Sequence, residues 1–386
     1  MFYFYFRGFS IICSIFGLSK PLVSSQPDYN PSIFSWRTLW SLVVVASLII
    51  FSVFQMKIDM NSIVDSIHSE ISYTNNVIVS VIIILNNITN WEKIYRMYDV
   101  FDKVNRELKL RPNSIKMMSL KLYVWFFIEL SLLSIFAILE ITYVVQPYVI
   151  IIRIPVFLSI FHLIVHLSLM LSVLKVINFN MLELLKKNST DDVVIYSYET
   201  TTGAVSYIFN YNIYFPYVKS DIVIDLKILC KIYDDLCSCL QLLEKCHGVD
   251  FIYCSIYEHI LKVLLTIWLM FTNAVAAVTI ITKNETTEPS LEIIKAVEVI
   301  LWFCVGCFID EQMTQEVEYT QLLVIKNLIN FKCDKNRKEV LNTFNTVINS
   351  NRLQFRACNL YRMNYGTILG TVVSVITYSI IAVQLL

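Results

Sequence analysis

Seven apolar stretches, each about as long as a helix across a bilayer, leave this 386-residue chain few folds to choose from. A hydrocarbon core about 30 Å thick takes about 20 residues of α-helix. Inside it every backbone N–H and C=O needs a partner from its own segment or a closed barrel. The composition agrees: 56% of residues are hydrophobic, 16% are charged, and the mean hydropathy is +0.61. Such a chain is expected to be an all-α, polytopic membrane protein.

The predicted spans are Leu39–Met56, Ile71–Ile88, Leu120–Gln146, Tyr148–Ile177, Leu264–Thr282, Ile293–Ile309 and Gly366–Leu386. The third and fourth meet at a Gln146-Pro147 turn and form a helical hairpin. Lys295 and Glu298 interrupt the outer end of the sixth. Residues 1–38 precede the first span. They open on an aromatic run, Met1 to Phe6, and show no small-x-small cleavage site near Gly17-Leu18-Ser19-Lys20, so they read as an amphipathic segment at the membrane surface. Residues 39–309 form a six-helix bundle, 310–365 a cytoplasmic segment, and 366–386 the seventh helix. Between Lys175 and Lys262 the apolar spacing is helical (Ile224, Ile228, Ile232, Leu236, Leu240, Leu243), as expected for solvated extensions of the fourth and fifth helices.

Lys and Arg set the orientation. Of 31 such residues, only Lys57, Arg153, Lys283 and Lys295 fall on one side of the predicted membrane. The N-terminus and the three long loops are therefore expected in the cytoplasm, and the C-terminus outside. This is opposite to a G-protein-coupled receptor, and no Asp-Arg-Tyr or Asn-Pro-x-x-Tyr stands at the expected places. The sequon at Asn284 falls on the predicted outer side, whereas those at Asn87 and Asn188 fall inside.

Other classes fit less well. Formal net charge is zero, which speaks against nucleic acid. Ten cysteines include Cys230, Cys237, Cys239, Cys246 and Cys254 in a predicted cytosolic stretch, where disulfides are not expected. Cys237-x-Cys239 with Cys246-His247 matches no standard zinc spacing. No metal or cofactor is expected. No clustered nucleophile or phosphate loop suggests an enzyme, and no inverted repeat suggests a transporter.

The terminal stretch carries most of the functional signal. At 100° per residue, Gly366, Gly370, Ser374, Thr377, Ile381 and Gln384 share one arc about 80° wide. Two readings compete. Small residues allow a dry, close packing face. Hydroxyls and an amide on the same face also suit a wet axis shared by several copies. Thr377-Tyr378, five residues, then Gln384 and a hydrophobe resembles the C-terminal signature of insect gustatory receptors. That family usually ends Gln-Phe, where this chain has Gln384-Leu385-Leu386; a leucine there also occurs in the related olfactory receptors. The lead-in Ile15 to Leu22 and the segment Leu353 to Tyr361 are similar to the same family.

The resemblance implies a tetrameric, tastant-gated, non-selective cation channel in the plasma membrane of sensory dendrites, held together by a cytoplasmic anchor. Subunits are implied to be identical or related. In that architecture Ser374 and Thr377 line the inner pore, Ile381 forms a hydrophobic gate, and Gln384 forms a neutral outer ring passing cations. Gly366, Gly370 and Tyr378 pack the pore helices. Sugar receptors of the family usually carry an acidic residue after Thr-Tyr; Ser379 there points to bitter or other non-sugar compounds. An odorant-receptor subunit needing a co-receptor is the alternative, and a transporter a more distant one.

Ionisable groups within spans invite a functional reading. Glu140 and Arg153 lie six residues either side of the Gln146-Pro147 turn, at equal depth in a helical hairpin. They either lock the hairpin or form the base of an outward-facing ligand cavity. Tyr73, Asn75, Asn76, Tyr143, Trp268, Asn273 and Trp302 supply candidate walls. His162 and His166, four apart on the fourth span, are expected to make polar contacts in the bundle interior.

Overall fold

The computed structural model describes residues 11–18, 36–56, 77–108, 127, 131, 148–188, 225–252, 288–329, 335–357, 361–362, 364–367, 369–370, 373 and 377. The first long helix, α1, is Trp36–Met56. Its buried positions Ser41, Val45 and Leu48 lie on one face. A helical turn at 11–15 packs against that face and buries Cys13 and Leu18 completely. Gly17 makes the approach possible: its φ is +75°, and an added Cβ would sit 3.2 Å from Val44 Cβ. The Trp40 indole N–H donates to the Ile15 carbonyl at 3.1 Å.

Helix α2, Val77–Thr89, is followed by α3, Trp91–Glu107, at an angle of 62°. The bend has a sequence cause. Asn90 Nδ2 donates to the Asn86 side-chain oxygen at 2.6 Å, and Lys93 Nζ donates to Asn90 Oδ1 at 2.6 Å. These side chains compete with the helical ladder locally and give the break its own partners. On α3, Ile94, Met97, Tyr98, Phe101 and Val104 are buried at helical spacing.

Helix α4, Tyr148–Asn188, and α6, Glu288–Ile329, have 41 and 42 residues. At 1.5 Å per residue each is about 60 Å long, twice the hydrocarbon thickness. They pack along each other. Asn178 on α4 fixes their register: its Nδ2 donates to Glu316 Oε2 at 2.7 Å, and Thr320 Oγ1 donates to Asn178 Oδ1 at 2.6 Å. Helix α5, Leu226–Ile252, packs on α3 and α4. Two ion pairs tie α3 to α5, Lys103–Asp235 at 2.9 Å and Lys231–Glu107 at 2.6 Å. Helix α7, Lys335–Ser350, buries Leu341, Phe344 and Ile348 against α6 and α5. The chain then makes a short antiparallel ladder, β1 Arg356–Ala357 with β2 Tyr361–Arg362, placing Arg356 opposite Arg362.

The fold is helical, as expected, with that ladder as its one exception among the described residues. One expectation is corrected: the segment after residue 88, expected as loop, holds α3. There a charged face accompanies an apolar one on the same helix. The fourth helix runs on past its predicted span to Asn188, as expected of its extension. Helix α7 ends at Ser350, and the ladder follows it. Among the described residues, Ile154–Leu184 is long and apolar enough to cross a membrane, and α2 with α3 passes the same test as one bent span. The predicted first span falls on α1 and the sixth on the first half of α6. The fifth, the third apart from Phe127 and Ser131, and most of the seventh lie outside the described residues.

Candidate functional site

The terminal segment is fastened where it begins. Asn364 Oδ1 accepts the Thr367 N–H at 2.9 Å, a side-chain cap on a helix start, and Thr367 Oγ1 donates to the Arg362 carbonyl at 2.6 Å. Arg362 in turn reaches α6. Its Nε donates to Asp310 Oδ2 at 3.2 Å, its guanidinium also donates to Thr314 Oγ1, and Glu311 lies 3.9 Å away. The other Asp310 oxygen accepts the Phe355 N–H at 2.7 Å. Asp310 is fully buried, whereas the Arg362 side chain keeps 28% of its exposure.

Burial pushes the Asp310 carboxyl up to about 6, although the Phe355 N–H and Arg362 pull it back. Burial also raises Glu244, whose Oε1 accepts the Arg356 N–H at 2.6 Å. The loop before β1 is held by α5 as well. The Asn351 carbonyl accepts Tyr233 O–H and Cys237 S–H, both at 3.3 Å. Residues 351–357 and 361–362 thus form a collar joining α5, α6 and α7 at the base of the terminal segment.

Beyond its base that segment touches little of the described chain. Leu369 is 65% exposed and Val373 52%. A methyl added at Gly370 would meet no atom within 4 Å; one at Gly366 would meet only the Asn364 side chain, 3.3 Å away. Thr377 is exposed, and its hydroxyl donates to the Val373 carbonyl at 2.8 Å. Ser374, Tyr378, Ile381 and Gln384 lie outside the described residues.

A second polar cluster occupies the interior of α3, α4 and α5. Tyr98 O–H and His162 Nε2 are 2.7 Å apart, His162 Nδ1 and His247 Nε2 2.8 Å, and His247 Nδ1 and Ser159 Oγ 3.3 Å. His166 Nδ1 bonds the His162 carbonyl at 2.6 Å. Tyr98 donating to His162, His162 to His247 and His247 to Ser159 satisfies the chain in one direction. His162 and His166 are interior polar residues, as expected. Tyr98 and His247 were not foreseen as their partners; the apolar stripe of α3 was the available signal for Tyr98.

The cysteine set does not gather. Cys237, Cys239 and Cys246 point to the carbonyls of Asn351, Met97 and Asn90. Among the described residues no His, Cys, Asp and Glu group is arranged to hold a metal. Of the proposed ligand residues, Arg153 lies on α4 and Trp302 on α6. Tyr73, Asn75, Asn76, Glu140, Tyr143, Trp268, Asn273 and the sequon Asn284 lie outside the described residues. Asn87 is buried on α2, which leaves a glycan no room. A groove of about 380 Å³ between α3 and α5, lined by Tyr95, Asp99, Val100, Ser238, Leu242 and Lys245, is more open than a small-molecule site usually is.

A family model described as 7tm chemosensory receptor matches residues 3–385. The fold is similar to the olfactory receptor OR5 of the insect Machilis hrabei, with TM-score 0.64 at 12% identity, covering 100% of both chains. The same receptor in complex with eugenol gives TM-score 0.67 at 13% identity, again covering 100% of both. No curated protein matches the sequence.

Proposed function

Because the chain belongs to the 7tm chemosensory receptor family, we propose that it is a tastant-gated, non-selective cation channel subunit of the gustatory type. The observation that carries this reading is the exposed terminal segment. An apolar helix anchored at its base, with Leu369, Val373 and Thr377 exposed, needs a covering surface. Three further copies of the chain supply one. Gly366 and Gly370 then allow close approach between helices. Ser374 and Thr377 line the inner path, Ile381 closes it by dewetting, and Gln384 forms the outer ring. Tyr378 contacts the neighbouring helix.

In this arrangement seven spans place the N-terminus in the cytoplasm and the C-terminus outside, at the plasma membrane. Residues 310–365 are the cytoplasmic anchor. The six-helix part, 39–309, holds a small tastant near Tyr73, Asn76, Glu140, Tyr143, Arg153, Trp268, Asn273 and Trp302, and Asn284 carries the glycan. Ser379 favours non-sugar compounds. Expressing the chain alone and recording currents against a tastant panel tests the reading. Gln384→Ala or Gln384→Arg is expected to change permeability with surface expression retained. Unchanged currents in the Gln384 variants remove that residue from the pore. Tags at the two chain ends found on one side of the membrane overturn the topology.

A further inference from the structure

A fully buried carboxylate on α6, Asp310, holds that helix to the collar at the start of the terminal helix. Asp310 faces Arg362 from β2 and the Phe355 N–H from the loop before β1. Glu311 and Cys307 flank it on α6, and Glu244 approaches from α5, held by the Arg356 N–H. Tyr365, from the terminal segment, faces Glu311 and Cys307. Arg362 is the cation in direct contact, and its own carbonyl holds Thr367 in the first turn of the terminal helix. The path runs from Asp310 to the Arg362 guanidinium, along Arg362 itself, and from its carbonyl to the Thr367 hydroxyl.

We propose that Asp310 is the positioning residue through which α6 holds the base of the terminal helix, and that a proton arriving from the cytosol loosens this hold. The cytosolic side rests on the topology proposed above; the tie itself rests on the geometry.

The sign follows from burial. The folded chain binds the Asp310 proton more tightly than an exposed carboxyl does, because desolvation outweighs Arg362 and the Phe355 N–H. Acid therefore does not unfold the collar through this group. It leaves a neutral, still buried carboxyl and frees the partly exposed Arg362 to turn toward water or Glu311. With the carboxyl titrating at about 6, the neutral fraction rises from a few per cent at about pH 7.5 to about three quarters at about pH 5.5.

Hydrogen–deuterium exchange on the purified full chain tests this without any tastant or current, so its failure leaves the channel reading untouched. Exchange of peptides spanning residues 361–370 is compared at about pH 7.5 and 5.5, after correction for the chemical rate. The wild type is expected to exchange at least about fivefold faster at the lower pH. Asp310→Asn, neutral at both values, is expected to exchange fast at both. Arg362→Lys is expected to keep the pH profile, and Arg362→Gln to lose it. A wild-type profile flat between these pH values overturns the proposal, as does a wild-type profile in Asp310→Asn. Should Asp310→Asn fail to fold, the contrast between Arg362→Lys and Arg362→Gln decides: equal profiles overturn the proposal.

Discussion

Deleting one oxygen atom tests the interior polar chain. Tyr98→Phe keeps the aromatic ring, which packs edge-on against His166 at a centroid distance of 5.1 Å. It removes the hydroxyl 2.7 Å from His162 Nε2. His162 is 1% exposed, so water does not replace the lost partner. Switching tautomer offers no escape. If Nε2 carries the proton it loses its acceptor, and if it does not it loses its donor. An unsatisfied buried polar atom costs about 1–3 kcal/mol, whereas the ring substitution alone is nearly neutral. The assay is a thermal melt of the detergent-purified chain followed by size-exclusion, run as a double-mutant cycle with His162→Leu. The Tyr98→Phe change should cost about 1–3 kcal/mol in the wild type and less than about 1 kcal/mol beside His162→Leu, where no nitrogen is left to strand. Equal costs in both backgrounds refute the argument that the hydroxyl acts through His162.

Other expectations follow from single contacts. Phe344→Ala empties a fully buried site packed edge-on against Tyr233 at 5.6 Å, and should cost about 3–5 kcal/mol in the same melt; a loss below about 1 kcal/mol contradicts the packing. Gly17→Ala forces a Cβ into the left-handed region 3.2 Å from Val44, at about 1–2 kcal/mol, and should make cleavage near residues 11–18 easier in limited proteolysis without unfolding the bundle. Burial pushes the Cys237 thiol up to about 12, so native protein should resist alkylation there at neutral pH, read by mass spectrometry; rapid stoichiometric labelling argues that α5 and the collar are apart. Asp310→Asn removes a group that favours the folded chain as pH falls through about 6. Relative to that variant, the wild type should gain about 0.8 kcal/mol between about pH 7.5 and 5.5.

Much of the architecture was legible because lipid permits so few solutions. Apolar stretches gave the helices now seen as α1, α2, α4 and α6, since backbone in hydrocarbon has to be helical. The C-terminal residues Thr377, Tyr378 and Gln384 pointed to the family that the match over residues 3–385 shows. Helix α3 escapes the sequence reading for a definite reason. Its Lys93, Arg96, Lys103 and Arg106 mark a cytoplasmic loop, while Ile94, Met97, Tyr98, Phe101 and Val104 keep helical spacing on the other face.

Sequence by itself determined which segments suit lipid and which face of each helix is apolar, because both depend on residues close together in the chain. It marked His162 and His166 as interior for the same reason. Tertiary structure alone decided the partners. Tyr98 meets His162 across 64 residues, His162 meets His247 across 85, and Asp310 meets Arg362 across 52. Periodicity tells a helix what to hide but not against which neighbour. A buried carboxylate and the arginine that answers it acquire meaning only when packing removes the water between them.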